Sequence, residues 1–340
     1  MRTTMKDVAK AAGVHSSTVS RVINGNPNIS QATAEKVLLA IKKLDYTPNA
    51  LARSLKTKKL QTFGMLIPDI ANPFFAGLAR GVEDRANEYG YNVILCNTDD
   101  CLEKEIIYLR LLAERRVEGL ILATAKIRDK SILELERIQF PYIMLSRNIK
   151  GLQENSISID DIAGGYLATQ YLVGLGHRKI AHITGPYNTT AALDRIKGYK
   201  RALLNYGIPF NKKYIGEGDF RIKGGYSVMN HFLALKDPPT AVFTANDLLA
   251  VGAIEAIREN GYDVPSDYSI VGFDDIRLAS YLSPPLTTVR QPMVEMGSLA
   301  INKLLERIEH KLSHKNILIK PELIKRKSCR NISIEKSDLV

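Results

Sequence analysis

Short apolar runs alternate with longer amphipathic stretches over most of the chain after Thr62. Seven β-rich apolar runs predict strands at 63–68, 92–97, 119–125, 142–146, 179–184, 240–246 and 268–274. Stretches with helical spacing lie between most of them, at 74–89, 103–115, 163–175, 192–206, 224–235 and 247–260. Strands that alternate with helices predict a parallel sheet covered on both faces. About 220 residues of such alternation are too many for one small sheet, so we expect two similar α/β lobes.

The first 45 residues have a different pattern, because their apolar residues recur only at helical spacing. Thr4 is expected to cap a helix that reaches about Ala12 and ends at Gly13. A second short helix is expected from about Ser16 to Ile23. Two short helices joined through a glycine have the dimensions of a helix-turn-helix, although a generic three-helix unit has the same pattern.

A third helix follows the turn signal Asn-Gly-Asn-Pro at 24–27, and Ser30 is expected to cap it. Its apolar positions predict one buried stripe, formed by Ala34, Val37, Leu38, Ile41 and Leu44.

Charge is distributed unevenly along the chain. The net charge is +11, and residues 1–60 hold 11 Lys/Arg and three Asp/Glu, a net charge of +8. A basic head on a nearly neutral body favours a polyanion as partner, although the bias could also only improve solubility. The polar side chains of Ser16, Ser17, Ser20 and Arg21 on the second helix favour DNA.

The sequence lacks the signals that identify several other classes of protein. No run of about 18 apolar residues predicts a membrane span, and the N-terminus lacks an apolar secretory segment, so we expect a cytoplasmic protein without membrane contact. Nucleophile, nucleotide and dinucleotide motifs are missing, which disfavours an enzyme. Cys96, Cys101 and Cys329 match no zinc or redox spacing and are expected as free thiols. His310 and His314 have no evident third ligand, so neither a metal nor a cofactor is expected.

Polar residues end several predicted strands of the lobes: Asp69, Asn97, Ser146, Asn246 and Asp274. Ligands of parallel α/β sheets bind beyond the carboxyl ends of the strands. These positions therefore predict a site for a hydroxylated ligand.

The segments MKDVAKAAGVHSSTVSRVINGNPNIS and YTPNALARSL resemble the headpiece and hinge of the LacI/GalR family of bacterial transcription regulators. Later segments, among them IPDIANPFF, GHRKIAHITGP, PTAVFTANDLLAVGA and VPSDYSIVGFDD, resemble the effector domain of that family. The resemblance implies an all-α helix-turn-helix headpiece plus an α/β effector domain of two periplasmic-binding-protein-like lobes.

The resemblance also implies a domain organisation. The headpiece is expected at 1–47, the hinge helix and linker at 48–60, and the effector-binding and dimerisation domain at 61–340. Within the last domain, the N-lobe is expected at about 61–160 and 291–320, and the C-lobe at about 161–290 and 321–332.

In this family the second helix of the headpiece lies in the major groove, and Ser16, Ser17 and Arg21 match the base-contacting positions. His15 stands where the family usually has a serine that caps this helix, and an imidazole is a poor N-cap. The hinge implies minor-groove binding with Leu55 wedged between base pairs, although an ordinary buried leucine is the alternative. The expected DNA contacts are Thr4, His15, Ser16, Ser17, Thr18, Ser20, Arg21, Asn24, Asn49, Ala52 and Leu55.

The family's ligand pocket maps onto the two lobes. Arg195 and Asp274 could form charge-assisted hydrogen bonds to the vicinal hydroxyls of a sugar, with a surface or lobe-bridging salt bridge as the alternative for each. Phe74 and Phe220 could stack on apolar sugar faces. The expected effector contacts are Phe74, Ser146, Arg147, Arg195, Phe220, Asn246, Asp247, Asp274 and Gln291.

The function that follows is regulated, sequence-specific binding of a near-palindromic double-stranded operator by a homodimer, most often as a repressor. The expected effector is a small sugar or sugar derivative. One alternative within the family is a global carbon regulator controlled by a phosphorylated carrier protein, which the segments NGNPNIS and KGYKRAL resemble. A transport binding protein is the alternative from another class, but it would need a secretory signal where the basic head stands.

Overall fold

A computed structural model describes residues 3–23, 26–46, 60–127, 129–310 and 316–333 of the chain. These residues form two compact units, one within 1–60 and one within 61–340. No helix in the described ranges is both long and apolar enough to cross a membrane. The three cysteines are free thiols, as the sequence predicts.

In the first unit the described residues form three helices, α1 (Met5–Ala12), α2 (Ser16–Ile23) and α3 (Gln31–Lys43). Thr4 and Asp7 close a capping box: the Thr4 hydroxyl accepts from the Asp7 N–H at 3.4 Å, and the Asp7 carboxylate accepts from the Thr4 N–H at 2.8 Å. Gly13, with φ at 65°, ends α1 in the left-handed region that glycine adopts without strain. The predicted bounds of α1 and α2 are confirmed.

Two expectations for α3 are wrong. Leu38 is 55% exposed, whereas Val37 and Ala40 are buried, because α1 and α2 cover only one side of α3 and Leu38 lies about 100° around the helix from Val37. Ser30 occupies the N-cap position, but its hydroxyl lies 2.8 Å from the Thr33 hydroxyl and makes no cap bond to the backbone.

The second unit contains two six-stranded sheets. In chain order the strands are β1 (Thr62–Ile67), β2 (Asn92–Asn97), β3 (Gly119–Leu122), β4 (Tyr142–Leu145), β5 (Ser156–Ile159), β6 (Ile180–Thr184), β7 (Ile215–Glu217), β8 (Ala241–Thr244), β9 (Ser269–Asp274), β10 (Thr287–Arg290), β11 (Ile317–Ile319) and β12 (Glu322–Ile324). The N-lobe sheet has the order β11-β5-β4-β3-β1-β2, and the C-lobe sheet has the order β12-β10-β9-β8-β6-β7. The described strand pairs are parallel except for β10 with β12.

Helices cover both faces of these sheets. They are α4 (Pro73–Glu88), α5 (Leu102–Glu114), α6 (Lys130–Arg137), α7 (Asp161–Gly174), α8 (Thr190–Asn205), α9 (Ile222–Leu233), α10 (Asp247–Glu259) and α11 (Met293–Ile308). In the N-lobe α4 and α11 approach closely, since a Cβ on Gly81 would lie 2.0 Å from the Val294 carbonyl oxygen. Only glycine fits at such a contact.

The chain passes between the lobes after β5, after β10 and between β11 and β12. The Asp160 N–H donates to the Ile319 carbonyl at 2.9 Å, so two of these crossing segments are bonded to each other.

The seven predicted strands are all present, with ends shifted by a few residues. Strands β5, β7, β10, β11 and β12 were not predicted; β7, β11 and β12 have only three residues, which are too few to show a periodicity. Helices α6 and α11 were not predicted either.

Candidate functional site

Helix α2 presents one polar face in the first unit. Its side chain Val19 is buried, whereas Ser17 and Arg21 lie one turn apart on the exposed side. Ser16, Thr18 and Ser20 are half-buried between these two sides. A short helix with an exposed arginine and serines can contact base edges and phosphates. The expected DNA contacts Asn24, Asn49, Ala52 and Leu55 lie outside the described residues.

His15 caps α2, contrary to the expectation that an imidazole would serve this position poorly. Its Nδ1 accepts from the Ser17 N–H at 3.3 Å and lies 2.8 Å from the Ser17 hydroxyl. An Nδ1 that accepts a hydrogen bond leaves the ring hydrogen on Nε2, where it could be donated to a phosphate. The Thr4 hydroxyl, by contrast, is held by Asp7 in the capping box of α1.

A small cavity lies between the two lobes. The lining residues come from the carboxyl ends of strands and the helix starts beside them: Asn72, Phe74, Phe75, Ser146, Arg147, Ala191, Arg195, Phe220, Asn246, Asp274 and Gln291. Eight of the nine expected effector contacts are among them, and Asp247 is not.

Arg195 forms a buried ion pair with Asp161 of the same lobe, whereas the alternative expected from the sequence was a surface or lobe-bridging salt bridge. Its Nε donates to Asp161 Oδ1 at 2.8 Å, and its guanidinium also donates to the Ala245 carbonyl. The guanidinium carbon lies 3.6 Å from the centroid of the Phe273 ring. Burial raises the pKa of Asp161 to about 6, although Arg195 opposes this rise. Asp161 lies two residues after β5, and because that strand was not predicted, no strand-end signal pointed to Asp161.

Asp274 and Gln291 form a second buried pair in the cavity. Gln291 Nε2 donates to Asp274 Oδ1 at 2.7 Å, and burial raises the pKa of Asp274 to about 7. Gln291 Oε1 is buried and has no hydrogen-bond partner among the described residues. The cavity therefore holds an acceptor that a ligand hydroxyl or N–H could satisfy.

Arg147 is buried with long contacts only. Its Nη1 lies 3.4 Å from Asp100 Oδ1 and 3.5 Å from the Thr124 carbonyl oxygen. Its guanidinium carbon lies 6.0 Å from the centroid of the Phe220 ring, and burial lowers its pKa. Arg147 is thus the less firmly paired of the two cavity arginines.

Asn246 and Asp247 have structural partners. Asn246 caps α10 by accepting from the Leu249 N–H at 2.9 Å, and it donates to the Phe220 carbonyl at 3.0 Å. The structure places Asp247 outside the cavity, where its carboxylate accepts from the Thr288 hydroxyl at 2.6 Å and from the Ile276 N–H at 2.9 Å. Asp247 is the first residue of α10, directly after the N-cap Asn246. Consecutive helical side chains point in different directions, so Asp247 points away from the cavity.

Asn72, Phe75 and Ala191 line the cavity without having been expected to. Asn72 caps α4 by accepting from the Phe74 N–H at 3.0 Å. The rings of Phe74 and Phe75 meet edge to face at 5.1 Å. The sequence Asn-Pro-Phe-Phe is a helix-start signal, which could have drawn attention to Asn72. Within the described ranges, no group of three His, Cys, Asp or Glu is placed to hold a metal ion.

Two family models match this chain. Residues 4–49 match the bacterial regulatory proteins of the lacI family, and residues 169–329 match the periplasmic binding protein-like domain.

Full-length relatives agree with these matches. The HTH-type transcriptional repressor PurR of Photobacterium profundum is 39% identical over 333 residues, which cover 97% of this chain and 99% of the relative. The lac repressor dimer bound to operator and an anti-inducer is 31% identical, with a TM-score of 0.88 over 97% of this chain and 100% of that one. The transcriptional regulator CelR in complex with cellobiose is 33% identical, with a TM-score of 0.74 over 96% of this chain and 100% of that one.

A helix-turn-helix unit together with a two-lobed α/β unit that has a polar cavity between its lobes defines a ligand-controlled, DNA-binding transcription regulator. The chain belongs to the lacI family of bacterial regulatory proteins. The fold class expected from the sequence is confirmed.

Proposed function

We propose that this regulator represses transcription by binding a near-palindromic operator as a homodimer, and that a small polyhydroxylated ligand between its lobes controls that binding. The observation that carries the proposal is the cavity, in which Arg147, Asp274 and Gln291 converge beside Phe74 and Phe220. The proposed division is a headpiece at 1–47, a hinge at 48–60 and an effector domain at 61–340. Such a protein acts where the DNA is, in the bacterial cytoplasm.

The proposed DNA surface is α2 with the residue that caps it. Arg21 has the geometry for a bidentate contact to guanine, and Ser17 lies one turn before it on the same exposed face. The His15 Nε2–H and the Thr4 region are suited to phosphates, which position a headpiece without specifying sequence. The net charge of +8 in residues 1–60 supports binding that weakens steeply with salt.

A homodimer is proposed because a near-palindromic operator has two half-sites and each chain supplies one headpiece. Apolar side chains at the surface of the second unit support it. Tyr281 is 70% exposed, Leu278 is exposed beside it, and Ile94 and Leu95 are exposed on edge strand β2. The relative crystallised with operator is itself a dimer.

A sugar is the proposed effector, because the cavity combines acceptors, donors and aromatic faces. Gln291 Oε1 and Asp274 can accept from ligand hydroxyls, while Arg147 can donate to them. Phe74 and Phe220 offer flat apolar surfaces to a ring. The cellobiose complex of CelR is a related case. Control by a phosphorylated carrier protein is less favoured, because the expected polar contacts line a cavity between the lobes, where a small ligand can reach them.

The proposal of sequence-specific DNA binding is tested with an operator selected in vitro from random duplexes. Fluorescence anisotropy of the full-length protein should give tighter binding to the selected duplex than to a scrambled one, with log Kd rising linearly with log salt. Equal affinity for both duplexes would refute a sequence-specific regulator.

The effector half is tested by calorimetry of the full-length protein against a panel of sugars and nucleobases, followed by operator titrations with the ligand that binds. Asp274→Asn should abolish the ligand response, while operator binding without ligand persists. If the variant folds and binds the ligand with unchanged affinity, the effector does not use Asp274. If only a nucleobase binds, the sugar class is wrong and the cavity assignment stands.

A further inference from the structure

A second cavity, of about 550 Å³, opens on the outer side of the C-lobe between α7 and α8. It reaches the point where the chain crosses from β11 to β12. We call it the outer groove, and its lining includes Asp160, Tyr166, Arg201, Asn205, Lys320 and Pro321. The outer groove and the cavity between the lobes share no lining residue.

The outer groove contains two exposed cations, Arg201 and Lys320. Neither forms an ion pair with another residue in the described part of the chain, although exposed cations of α8 such as Lys197 do so. The Arg201 guanidinium carbon lies 6.0 Å from the centroid of the Tyr166 ring, which holds the guanidinium at the groove. Their eight N–H groups are donors that an anion could use.

The other polar groups of the outer groove are mostly engaged. Asn205 Nδ2 donates to the Tyr166 hydroxyl oxygen at 3.3 Å, which leaves the Tyr166 O–H as a donor. Asp160 accepts from the Ala163 N–H at 2.9 Å as the cap of α7. Two cations against one carboxylate leave the groove with a net positive charge, so it favours a negatively charged group.

Apolar side chains form the rest of the groove. Ile162 and Leu167 on α7 and the buried ring of Pro321 line it together with Ala163. A bare inorganic ion would leave this surface without a partner. We propose that the outer groove binds a small organic anion, a phosphate or carboxylate carried on an apolar or ring-shaped body.

The groove is separate from the effector cavity, yet α8 contributes lining residues to both. Asp161, one residue after Asp160, holds Arg195 in the effector cavity. Arg195 and Arg201 both lie on α8, and six residues place them about 120° apart around the helix. The Asp160–Ile319 hydrogen bond joins the crossing segments beside the groove. A ligand in the groove would therefore contact the connection between the lobes.

The experiment is calorimetry of the full-length protein with phenyl phosphate, and with phenol as its neutral counterpart. Phenyl phosphate should bind at least about tenfold more tightly than phenol, because hydrogen bonds to charged groups are the strong ones. Arg201→Gln combined with Lys320→Gln should weaken phenyl phosphate binding by at least about tenfold. Lys197→Gln removes one cation of α8 that is already paired with Asp194, and it should change the affinity by less than about twofold.

An Arg147→Gln variant separates the outer groove from the effector cavity. Phenyl phosphate binding that survives Arg147→Gln and is lost in the groove variant supports the proposal. Binding lost in Arg147→Gln and kept in the groove variant would assign the anion to the effector cavity and overturn the proposal. Equal affinity for phenol, or no binding of phenyl phosphate at millimolar concentration, would also overturn it. Circular dichroism checks that each variant folds.

Discussion

The Thr190 hydroxyl is hydrogen-bonded twice to the backbone of Asn148. It accepts from the Asn148 N–H at 3.2 Å and donates to the Asn148 carbonyl oxygen at 3.2 Å. Asn148 follows a strand of the N-lobe, and Thr190 begins α8 of the C-lobe, so both bonds bridge the lobes beside Arg147 and Ala191 of the cavity. The Ile127 N–H, which donates to the Asn188 carbonyl at 2.9 Å, is a neighbouring bridge.

Thr190→Val should loosen this bridge between the lobes. Valine keeps the shape of threonine but can neither accept nor donate, so both bonds are lost at about 1 kcal/mol each. Amide hydrogen exchange at Asn148 should become about tenfold faster or more. Thr190→Ser keeps the hydroxyl, so the Asn148 amide should exchange as slowly in this variant as in the wild type. Unchanged exchange in the valine variant would mean that other contacts alone hold the lobes together.

Asp161→Ala should destabilise the second unit strongly. Arg195 would remain buried without its carboxylate partner, and breaking a buried ion pair costs about 3–5 kcal/mol. The matched control is Asp194→Ala on the same helix as Arg195, because Asp194 pairs with the exposed Lys197 and should contribute about 0–1 kcal/mol. Urea unfolding of both variants measures the difference. Similar unfolding midpoints for the two variants would show that water or another group takes the place of Asp161 as the partner of Arg195.

Glu105→Gln should change how folding stability depends on pH. Glu105 is buried and accepts from the Thr124 hydroxyl at 3.2 Å, and burial, followed by the charge of Asp129, raises its pKa to about 7. The folded state therefore holds this proton more tightly than the unfolded state. Between the ordinary glutamate pKa and pH 7 the wild type loses stability as pH rises, by about 1.4 kcal/mol per unit of pKa difference at most.

The glutamine variant has no carboxyl to ionise and should lack this loss, so its stability relative to the wild type should rise from pH 5 to pH 8. Glu103→Gln, on the exposed side of α5, is the control and should follow the wild type. The urea unfolding midpoints of the wild type and both variants at pH 5 and pH 8 measure this difference. Parallel pH profiles for wild type and Glu105→Gln would mean that Glu105 ionises normally.

Arg21→Ala should weaken operator binding by about 1–3 kcal/mol and relax specificity at one base pair in each half-site. Lys36→Ala removes an equal charge from the exposed side of α3. It should weaken binding to the selected and the scrambled duplex by the same factor. Anisotropy titrations with both duplexes measure the contrast. If both variants lose affinity equally for both duplexes, Arg21 contacts phosphate and not a base.

Periodicity was informative wherever an element was long enough to repeat it. The seven apolar runs and the alternation with helices predicted two α/β lobes, and the capping residues Thr4 and Gly13 predicted α1. Leu38 shows the limit of this reasoning, because spacing identifies a stripe but does not say how wide a stripe the neighbouring helices cover. The crossings between the lobes could not be predicted from periodicity either. Strands of three residues such as β11 and β12 join the sheets through long-range pairing, which no local sequence pattern encodes.

The sequence by itself determined that this chain has a basic helical head and a two-lobed α/β body, because periodicity, capping and charge are local properties of the residues. Strand-end position also named Ser146, Asn246 and Asp274 of the cavity, because polar residues at the ends of parallel strands meet at one edge of a sheet. The resemblance to the LacI/GalR family named the other expected cavity residues. Only the tertiary structure decided which partners those residues take: Arg195 with Asp161, Asp274 with Gln291, and Asp247 turned away from the cavity. The physical reason is that a buried polar atom is satisfied by whichever group the packing brings within about 3 Å, and that neighbour is set by contacts between distant segments.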